Sequence, residues 1–146
     1  MNWQRKIHLA RTSLQRALHR RGFGIQSPWA YEMVRDVLFE PLAYYAYEEQ
    51  GLLSASQKQL FRIKNHFRKH RVVVIDDVGE KAEAVYEKLM GQAAPDLVVV
   101  VEHAEDANAA LWQRAVADER TVITFDMGSR GLIVLDPKRI KQNYLL

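Results

Sequence analysis

Acidic residues follow three apolar runs in the second half of the sequence. They are Asp76 and Asp77 after Val72–Ile75, Glu102 after Leu97–Val101, and Asp126 after Val122–Phe125. Carboxylate oxygens are the ligands that Mg²⁺ prefers, and a bound Mg²⁺ can activate water or hold a substrate. Asp76, Glu102 and Asp126 are therefore weak candidates for a metal site. The alternative is local, with Asp77 capping a helix and Asp126 stabilising the turn at 127–131.

Residues that would bind a nucleotide or act as a nucleophile are scarce in this sequence. Gly79 is the only glycine where the first apolar run ends, whereas a loop that cradles a nucleotide needs several backbone amides close to the ligand. The sequence has no cysteine, which excludes thiolate nucleophiles, disulfides and zinc–cysteine sites. No serine lies in a G-x-S-x-G motif. These observations favour a non-catalytic chain over an enzyme.

The apolar runs predict the sheet that would position the acids. Continuous β-branched runs separated by helix-length segments are typical of parallel strands covered on both faces. Right-handed crossovers then bring the carboxyl ends of the strands to one edge, where open α/β sheets bind ligands. Between the strands, a helix spans Gly79–Met90, and Asp106 or Asn108 caps the next one. Gly131–Leu135 follows as an antiparallel strand beside Leu97–Val101.

The fold class that we predict is a three-layer, Rossmann-like α/β sandwich with about four main strands. Its sheet is small and mostly parallel, with an antiparallel C-terminal hairpin and a helical N-terminal segment. In that segment, one helix begins at Ser27–Pro28 and ends before Pro41, and another covers about 54–69. No linker is evident, so we predict one domain, 1–146, with a helical segment at 1–70 and the sheet unit at 71–146.

Residues 2–20 predict an amphipathic helix. Apolar residues recur at helical spacing and form one stripe: Trp3, Ile7, Ala10, Leu14, Ala17 and Leu18. Cations fill much of the remainder, and no acid precedes Glu32: Arg5, Lys6, Arg11, Arg16, Arg20 and Arg21. Such a helix fits a nucleic-acid arm, a membrane-surface helix or a mitochondrial presequence. We expect instead that its stripe is buried against the domain or a partner subunit, with weak or no RNA binding.

Charge is distributed unevenly along the chain. Residues 1–71 carry 13 Lys or Arg against 5 Asp or Glu, a net charge of +8, and residues 72–146 carry 8 against 13, a net charge of −5. These two values give the +3 of the whole chain. A basic segment joined to an acidic one can bind an anionic partner. It can equally hold two parts of one chain together.

Stretches near both ends resemble a class I SAM-dependent methyltransferase-like family seen in Bacteroidetes. The N-terminal stretch is RGFGIQSPWAYEMVRDVL at 21–38, followed by YYAYE at 44–48. The C-terminal stretch comprises Trp112, TVITFD at 121–126, GLIV at 131–134 and KQNY at 141–144, which are similar to the family's closing helix and strands. The resemblance implies a Rossmann-like fold with SAM bound beyond the first strand.

The middle of the chain departs from this family's pattern. By the resemblance, Asp76, Asp77 and Gly79 stand where the cofactor loop would be, in degenerate form. Alternatively, Val72–Asp76 corresponds to a later strand and the cofactor half is deleted. We therefore expect a shortened, non-catalytic relative that does not bind SAM and acts through protein–protein or self-association. The alternatives are an active SAM-dependent methyltransferase, an Mg²⁺-dependent enzyme that uses the strand-end acids, and nucleic-acid binding by the basic helix.

The first strand and the overall composition lead to expectations about partners and location. An apolar strand at the edge of a small sheet tends to be covered, so we expect a homodimer or a protein partner. No apolar run approaches the ~20 residues of a membrane span. Arg5 and Lys6 are followed by further basic residues rather than by an apolar signal core. Together with the absence of cysteine, this predicts a cytoplasmic protein.

Overall fold

Helices occupy the first half of the chain, and a mixed sheet with two helices that connect its strands occupies the second. The computed structural model describes residues 3–41, 45–52 and 54–146. The chain divides into two units, which we call the helical unit, ending at His66, and the sheet unit, from Phe67 to Leu146. The predicted α/β class is confirmed. The single domain stays a prediction.

The helical unit contains the elements α1 (Trp3–Arg20), α2 (Pro28–Glu32) with a π-helical continuation (Met33–Leu38), α3 (Tyr45–Glu49) and α4 (Ala55–His66). The predicted α1 is confirmed, and so is the start of α2, where the backbone amide of Ala30 donates to Ser27 Oγ at 3.3 Å. Ser54 and Gln57 cap α4 reciprocally, with bonds of 3.0 and 3.1 Å. Tyr44, part of the resemblance, lies outside the described residues.

The π-helical stretch Met33–Leu38 was not predicted, because its apolar spacing fits an ordinary helix. Its last carbonyl groups accept hydrogen bonds from side chains of α4. Arg62 donates to the carbonyl oxygens of Val37, at 2.6 Å, and Leu38, at 2.9 Å, and Gln59 donates to that of Leu38 at 3.0 Å. These bonds satisfy acceptors that a helix end leaves unpaired. They also hold α4 against this turn.

The sheet unit contains β1 (Arg71–Ile75), α5 (Glu80–Gly91), β2 (Leu97–Glu102), α6 (Ala109–Ala117), β3 (Ile123–Asp126), β4 (Arg130–Val134) and β5 (Gln142–Leu145). Within the described part of the chain, the strand order is β1-β2-β4-β3-β5. β1 pairs with β2 in parallel, and β4 is antiparallel to both β2 and β3. The predicted insertion of this antiparallel strand beside β2 is confirmed, as is the edge position of β1.

The fifth strand corrects the prediction of about four main strands. β5 pairs in parallel with β3 at the other edge of the sheet. The rings of Phe125 and Tyr144 stack with their centres 5.2 Å apart, and the backbone amide of Leu146 donates to the carbonyl oxygen of Asp126 at 2.7 Å. β5 is short, and its first two residues, Gln142 and Asn143, are exposed and polar. Its sequence therefore lacks the apolar run that identified the other strands.

One face of the sheet packs against α5 and α6. This core consists mainly of Ile75, Leu97, Val99, Val101 and Ile133 from the strands, Ala82, Tyr86, Leu89 and Met90 from α5, and Leu111, Trp112 and Ala115 from α6. Trp112 lies on Gly131, where an added Cβ would come within 2.3 Å of the indole ring. A glycine is therefore needed at this point of β4. Residues of the opposite face, including Val98, Val100 and Leu132, are also buried, as the continuous apolar runs predicted.

Candidate functional site

The strand ends meet at one edge of the sheet, as predicted. Ile75 of β1 is paired with Val101 of β2, and the same row continues across β4 to Asp126 of β3. The inserted β4, however, separates β1 from β3 by three strand spacings, or about 14 Å. Asp76 and Asp126 are thus too far apart to share one ion, because Mg²⁺–oxygen bonds are about 2 Å long. The structure does not bring the three candidate metal ligands together.

Glu102 is occupied by an ion pair. It lies directly opposite Arg130 in the β2–β4 ladder, and the guanidinium approaches both carboxylate oxygens, Nε to Oε1 at 2.5 Å and Nη2 to Oε2 at 3.2 Å. The side chain of Arg130 is 5% exposed and that of Glu102 is 20% exposed. A bidentate, largely buried pair of this kind neutralises the carboxylate. Glu102 therefore holds the β2–β4 edge together.

Asp76 remains open to solvent and lies near His103, which follows Glu102 at the end of β2. His103 Nε2 is 3.6 Å from Asp76 Oδ1, and His103 Nδ1 is 3.8 Å from Asp106 Oδ1. Both distances exceed hydrogen-bonding range, and all three side chains are substantially exposed. Exposed pairs of this kind contribute little to the stability of the fold. Within residues 3–41, 45–52 and 54–146, no three His, Asp or Glu side chains form a group that could hold a metal ion.

Asn108 organises the loops at this edge. Its side chain is buried, accepts a hydrogen bond from the backbone amide of Gly79 at 3.1 Å, and donates to the carbonyl oxygens of Asp77 at 2.8 Å and Glu102 at 3.0 Å. One amide group thus joins the loop after β1 to the end of β2. The predicted role of Asn108 as a helix cap is corrected in part. Asn108 is the N-cap residue of α6, but its side chain makes no capping bond.

The loop after β1 contains the predicted cofactor residues, Asp76, Asp77 and Gly79. Asp77 does not cap α5, contrary to the local interpretation, because the N-cap position is Gly79. Gly79 has a φ of 66°, a conformation that favours glycine. Its backbone amide donates to Asn108 Oδ1 at 3.1 Å. The loop thus offers a positive-φ glycine whose hydrogen-bonding capacity is already used.

Asp126 has the predicted turn function. Its Oδ1 accepts from the backbone amide of Gly128 at 3.0 Å, inside the hairpin that joins β3 to β4. Gly128 has a φ of 84° at the first position of the two-residue loop, as in a type II′ turn. The carbonyl oxygen of Ser129 accepts from the amide of Ala104, which ties this turn to the loop after β2. The acid is therefore part of the scaffold.

The strongest electrostatic perturbation lies at the opposite end of the sheet. Hydrogen bonds from the guanidinium and the backbone amide of Arg120 hold the pKa of Asp118 well below its usual range. Burial together with a 2.6 Å bond to Asp118 raises the pKa of Tyr86. Asp118 follows α6, where the crossover returns to the amino end of the sheet. Perturbed ionisation often marks functional sites, but ion-pair networks also produce it. Here the network of Tyr86, Asp118 and Arg120 joins α5 to the end of α6.

The helical unit presents a different kind of surface. The α1 stripe is solvent-exposed: the exposed fraction is 73% for Trp3, 39% for Ile7, 63% for Leu14 and 42% for Leu18. No residue of α1 is buried. This corrects the expectation that the stripe packs on the chain's own domain. Beyond the helix, Phe23 is also exposed and lines a groove of about 320 Å³ with Leu14 and Leu18.

A second concavity in the helical unit brings polar side chains together. Its volume is about 350 Å³, and its lining includes Asp36 from the π-helical stretch and Arg62, Asn65 and His66 from α4. The sequence does not reveal this group, because Asp36 and His66 are far apart in the chain. Arg62 already donates to the π-helical carbonyl groups. We therefore assign this concavity no chemistry.

Comparison with known proteins adds no relative. The chain matches no protein-family model, no curated protein and no solved structure.

Proposed function

We propose that this chain is a shortened, non-catalytic relative of class I SAM-dependent methyltransferases that acts through protein–protein or self-association. The observation that carries the first part of the proposal is the bond from the Gly79 amide to the buried Asn108 side chain. A methyltransferase loop would leave such amides for the cofactor. The Rossmann-like, three-layer arrangement and the cytoplasmic location expected from the sequence belong to this proposal.

The catalytic alternatives have less support. An Mg²⁺-dependent enzyme would need strand-end carboxylates that converge, whereas Glu102 pairs with Arg130 and Asp126 stabilises a turn. A methyltransferase would need, beyond the loop after β1, a second acid for the ribose hydroxyls. Glu102 is the acid at the end of the neighbouring strand, and both of its oxygens already face a guanidinium. These contacts favour a scaffold over a reaction centre.

Calorimetric titration of the full chain with SAM, and with its demethylated product, tests the non-catalytic part. We expect no binding stronger than a Kd of ~50 µM, which corresponds to roughly −6 kcal/mol. The matched variants are Asp76→Asn and Asp36→Asn, which make the same change at the loop after β1 and in the helical unit. Tighter SAM binding that Asp76→Asn weakens and Asp36→Asn leaves unchanged would make methyltransferase the leading function.

The association part rests on the exposed α1 stripe, since exposed apolar surfaces of this extent mark interaction sites. The homodimer expected from the sequence is one form that association can take. Light scattering at ~100 µM protein measures it, because dimers form by mass action. A dimer that Leu14→Asp dissociates would place the contact on α1. A monomer at this concentration removes the homodimer and leaves association with another partner.

A further inference from the structure

We infer that α1 is a peripheral anchor that lies in the headgroup region of an anionic lipid membrane. This inference goes beyond the proposed function and shares with it the exposed stripe of α1. In this arrangement, the stripe of Trp3, Ile7, Leu14 and Leu18 faces the acyl chains, and Lys6 and Arg11, which flank the stripe, reach the lipid phosphates. Helices of this composition, with an apolar face that contains Trp and Leu and a polar face rich in Arg and Lys, bind in the plane of the interface.

The orientation of α1 is the first observation that supports the anchor. At about 100° of rotation per residue, the stripe lies on the side of the helix opposite Thr12, Arg16 and His19. Those three are the partly buried residues of α1. The helix thus turns its polar side inward and its apolar side toward solvent. An amphipathic helix that packs on its own protein has the reverse arrangement.

The C-terminal end of α1 is fixed in this orientation. The guanidinium of Arg20 lies over the ring of Phe39 at 5.0 Å, and Arg35 Nη1 donates to the carbonyl oxygen of Arg21 at 3.2 Å. Gly22, with a φ of 88°, lies so close to Tyr31 that an added Cβ would meet the ring at 2.3 Å. The exposed stripe is therefore presented by a connection that is packed within the helical unit.

The positions of the cations are the second observation. At about 100° per residue, Lys6 and Arg11 lie about 20° outside the two edges of the stripe, which Ala17 and Leu18 form. Long basic side chains at such positions can lay their methylene groups along apolar surface while the charge reaches the headgroups. Arg5, Arg16 and Arg20 add positive charge on the remaining surface, and residues 1–31 contain no acid. The charge of α1 therefore complements an anionic layer.

A second copy of α1 or a nucleic acid would complement either the apolar stripe or the cations of α1, but not both. A second α1 would cover the stripe but would bring its own cations against those of the first. Of the large exposed apolar side chains that the structure describes outside α1, Phe23 adjoins the stripe in the groove with Leu14 and Leu18, whereas Tyr31, Val78 and Ile140 do not line that groove. A nucleic acid would meet the cations but leave the stripe in water. An anionic membrane satisfies both the apolar and the charged residues.

The length and charge of α1 favour a helix that lies on the membrane over one that crosses it. The helix has 18 residues and carries Arg5, Lys6, Arg11, Arg16 and Arg20 along its length. Among the residues that the structure describes, no helix combines the length and apolar content that a bilayer crossing requires. α1 is thus expected to lie along the membrane surface.

Cosedimentation of the full chain with vesicles tests the anchor. Two compositions are compared: phosphatidylcholine alone, and phosphatidylcholine with roughly three-tenths phosphatidylserine. We expect partitioning into the anionic vesicles to be at least about tenfold stronger, and to weaken as salt is raised. Equal partitioning into both, or none into the anionic vesicles, would overturn the inference.

Helix α1 supplies its own matched control. Leu9 is exposed like Leu14 but lies about 140° away from it on the polar side, so Leu14→Asp and Leu9→Asp make the same chemical change on the two faces of one helix. We expect Leu14→Asp to lower partitioning at least about tenfold and Leu9→Asp to lower it less than about threefold. Circular dichroism checks that both variants remain helical. Equal losses in both variants would mean that charge alone drives binding, which contradicts the inference.

Two further outcomes separate this inference from the proposed protein–protein or self-association. Dimerisation that Leu14→Asp abolishes, without vesicle binding, would overturn the anchor and leave association intact. RNA binding that is tighter than vesicle binding, and that Leu14→Asp does not affect, would likewise overturn the anchor. A chain that binds neither vesicles, nor itself, nor RNA would overturn the anchor and the homodimer, and would leave association with another protein.

Discussion

Helices α1 and α5 are both amphipathic, but the apolar face of α5 is buried and that of α1 is exposed to solvent. In α5, Ala82, Tyr86, Leu89 and Met90 are almost completely buried against the sheet. In α1, no residue is buried. Apolar periodicity alone, which identified α1 from the sequence, therefore does not tell whether a helix packs on its own chain.

Connectivity and charge explain the difference between the two helices. α5 joins β1 to β2, which are adjacent and parallel, so the crossover must return across the sheet and places its apolar face on the strands. α1 is not a crossover between paired strands and has no such constraint. α5 also carries exposed acids, among them Glu80 and Glu87, whereas α1 has no acid. A helix that lacks both a crossover and compensating charges is the better candidate for an external partner.

The largest effect that tests this comparison is expected from Leu89→Ala in α5. Leu89 is 5% exposed and belongs to the core beneath the sheet, so its truncation removes buried apolar surface and leaves a cavity. We expect the free energy of unfolding to fall by about 2–5 kcal/mol. Urea denaturation followed by circular dichroism measures the change. A loss smaller than about 1 kcal/mol would show that α5 is not held on the sheet as described.

A smaller effect is expected from Asn108→Ala, which tests how the start of α5 is held. The substitution leaves the amide of Gly79 and the carbonyl oxygens of Asp77 and Glu102 without their partner, at a cost of about 1–3 kcal/mol. Urea denaturation gives the cost, and hydrogen exchange at Gly79 should become faster. The control is Asn65→Ala, which removes an exposed amide and should change stability by less than about 0.5 kcal/mol. Equal effects of the two variants would contradict the bridging role of Asn108.

The sheet was largely predictable because its signals are local and redundant. Continuous apolar runs at Val72–Ile75 and Leu97–Val101 specify buried strands, and helix-length spacing specifies parallel crossovers. The turn at 127–131 fixed the antiparallel direction of β4. β5 was not predicted as a main strand, because a short edge strand needs only alternate buried residues such as Tyr144.

The contacts of the candidate site were less predictable because they depend on register between distant segments. That Glu102 follows a strand is visible in the sequence, but that it meets Arg130 requires the β2–β4 alignment. Asn108 looked like a helix cap, since the residue type suits that role, and only the approach of the loop after β1 gives its side chain other partners. The sequence thus predicted that the strand ends meet at one edge of the sheet, but it did not predict which partners their side chains contact.

The smallest change in the free energy of unfolding is expected from Leu14→Ala in α1. This variant tests the comparison of α1 with α5 most directly. It makes the same chemical change as Leu89→Ala, but Leu14 is 63% exposed and loses little buried surface. The free energy of unfolding should change by less than about 0.5 kcal/mol, because exposed substitutions away from packed contacts have small effects. Partitioning into anionic vesicles should nevertheless fall, since the side chain that would enter the membrane is shortened. A loss of stability above about 2 kcal/mol would mean that the stripe is already covered by protein in solution, as in a dimer through α1. Retained stability with weakened vesicle binding would instead separate the face that folds the chain from the face that binds its partner.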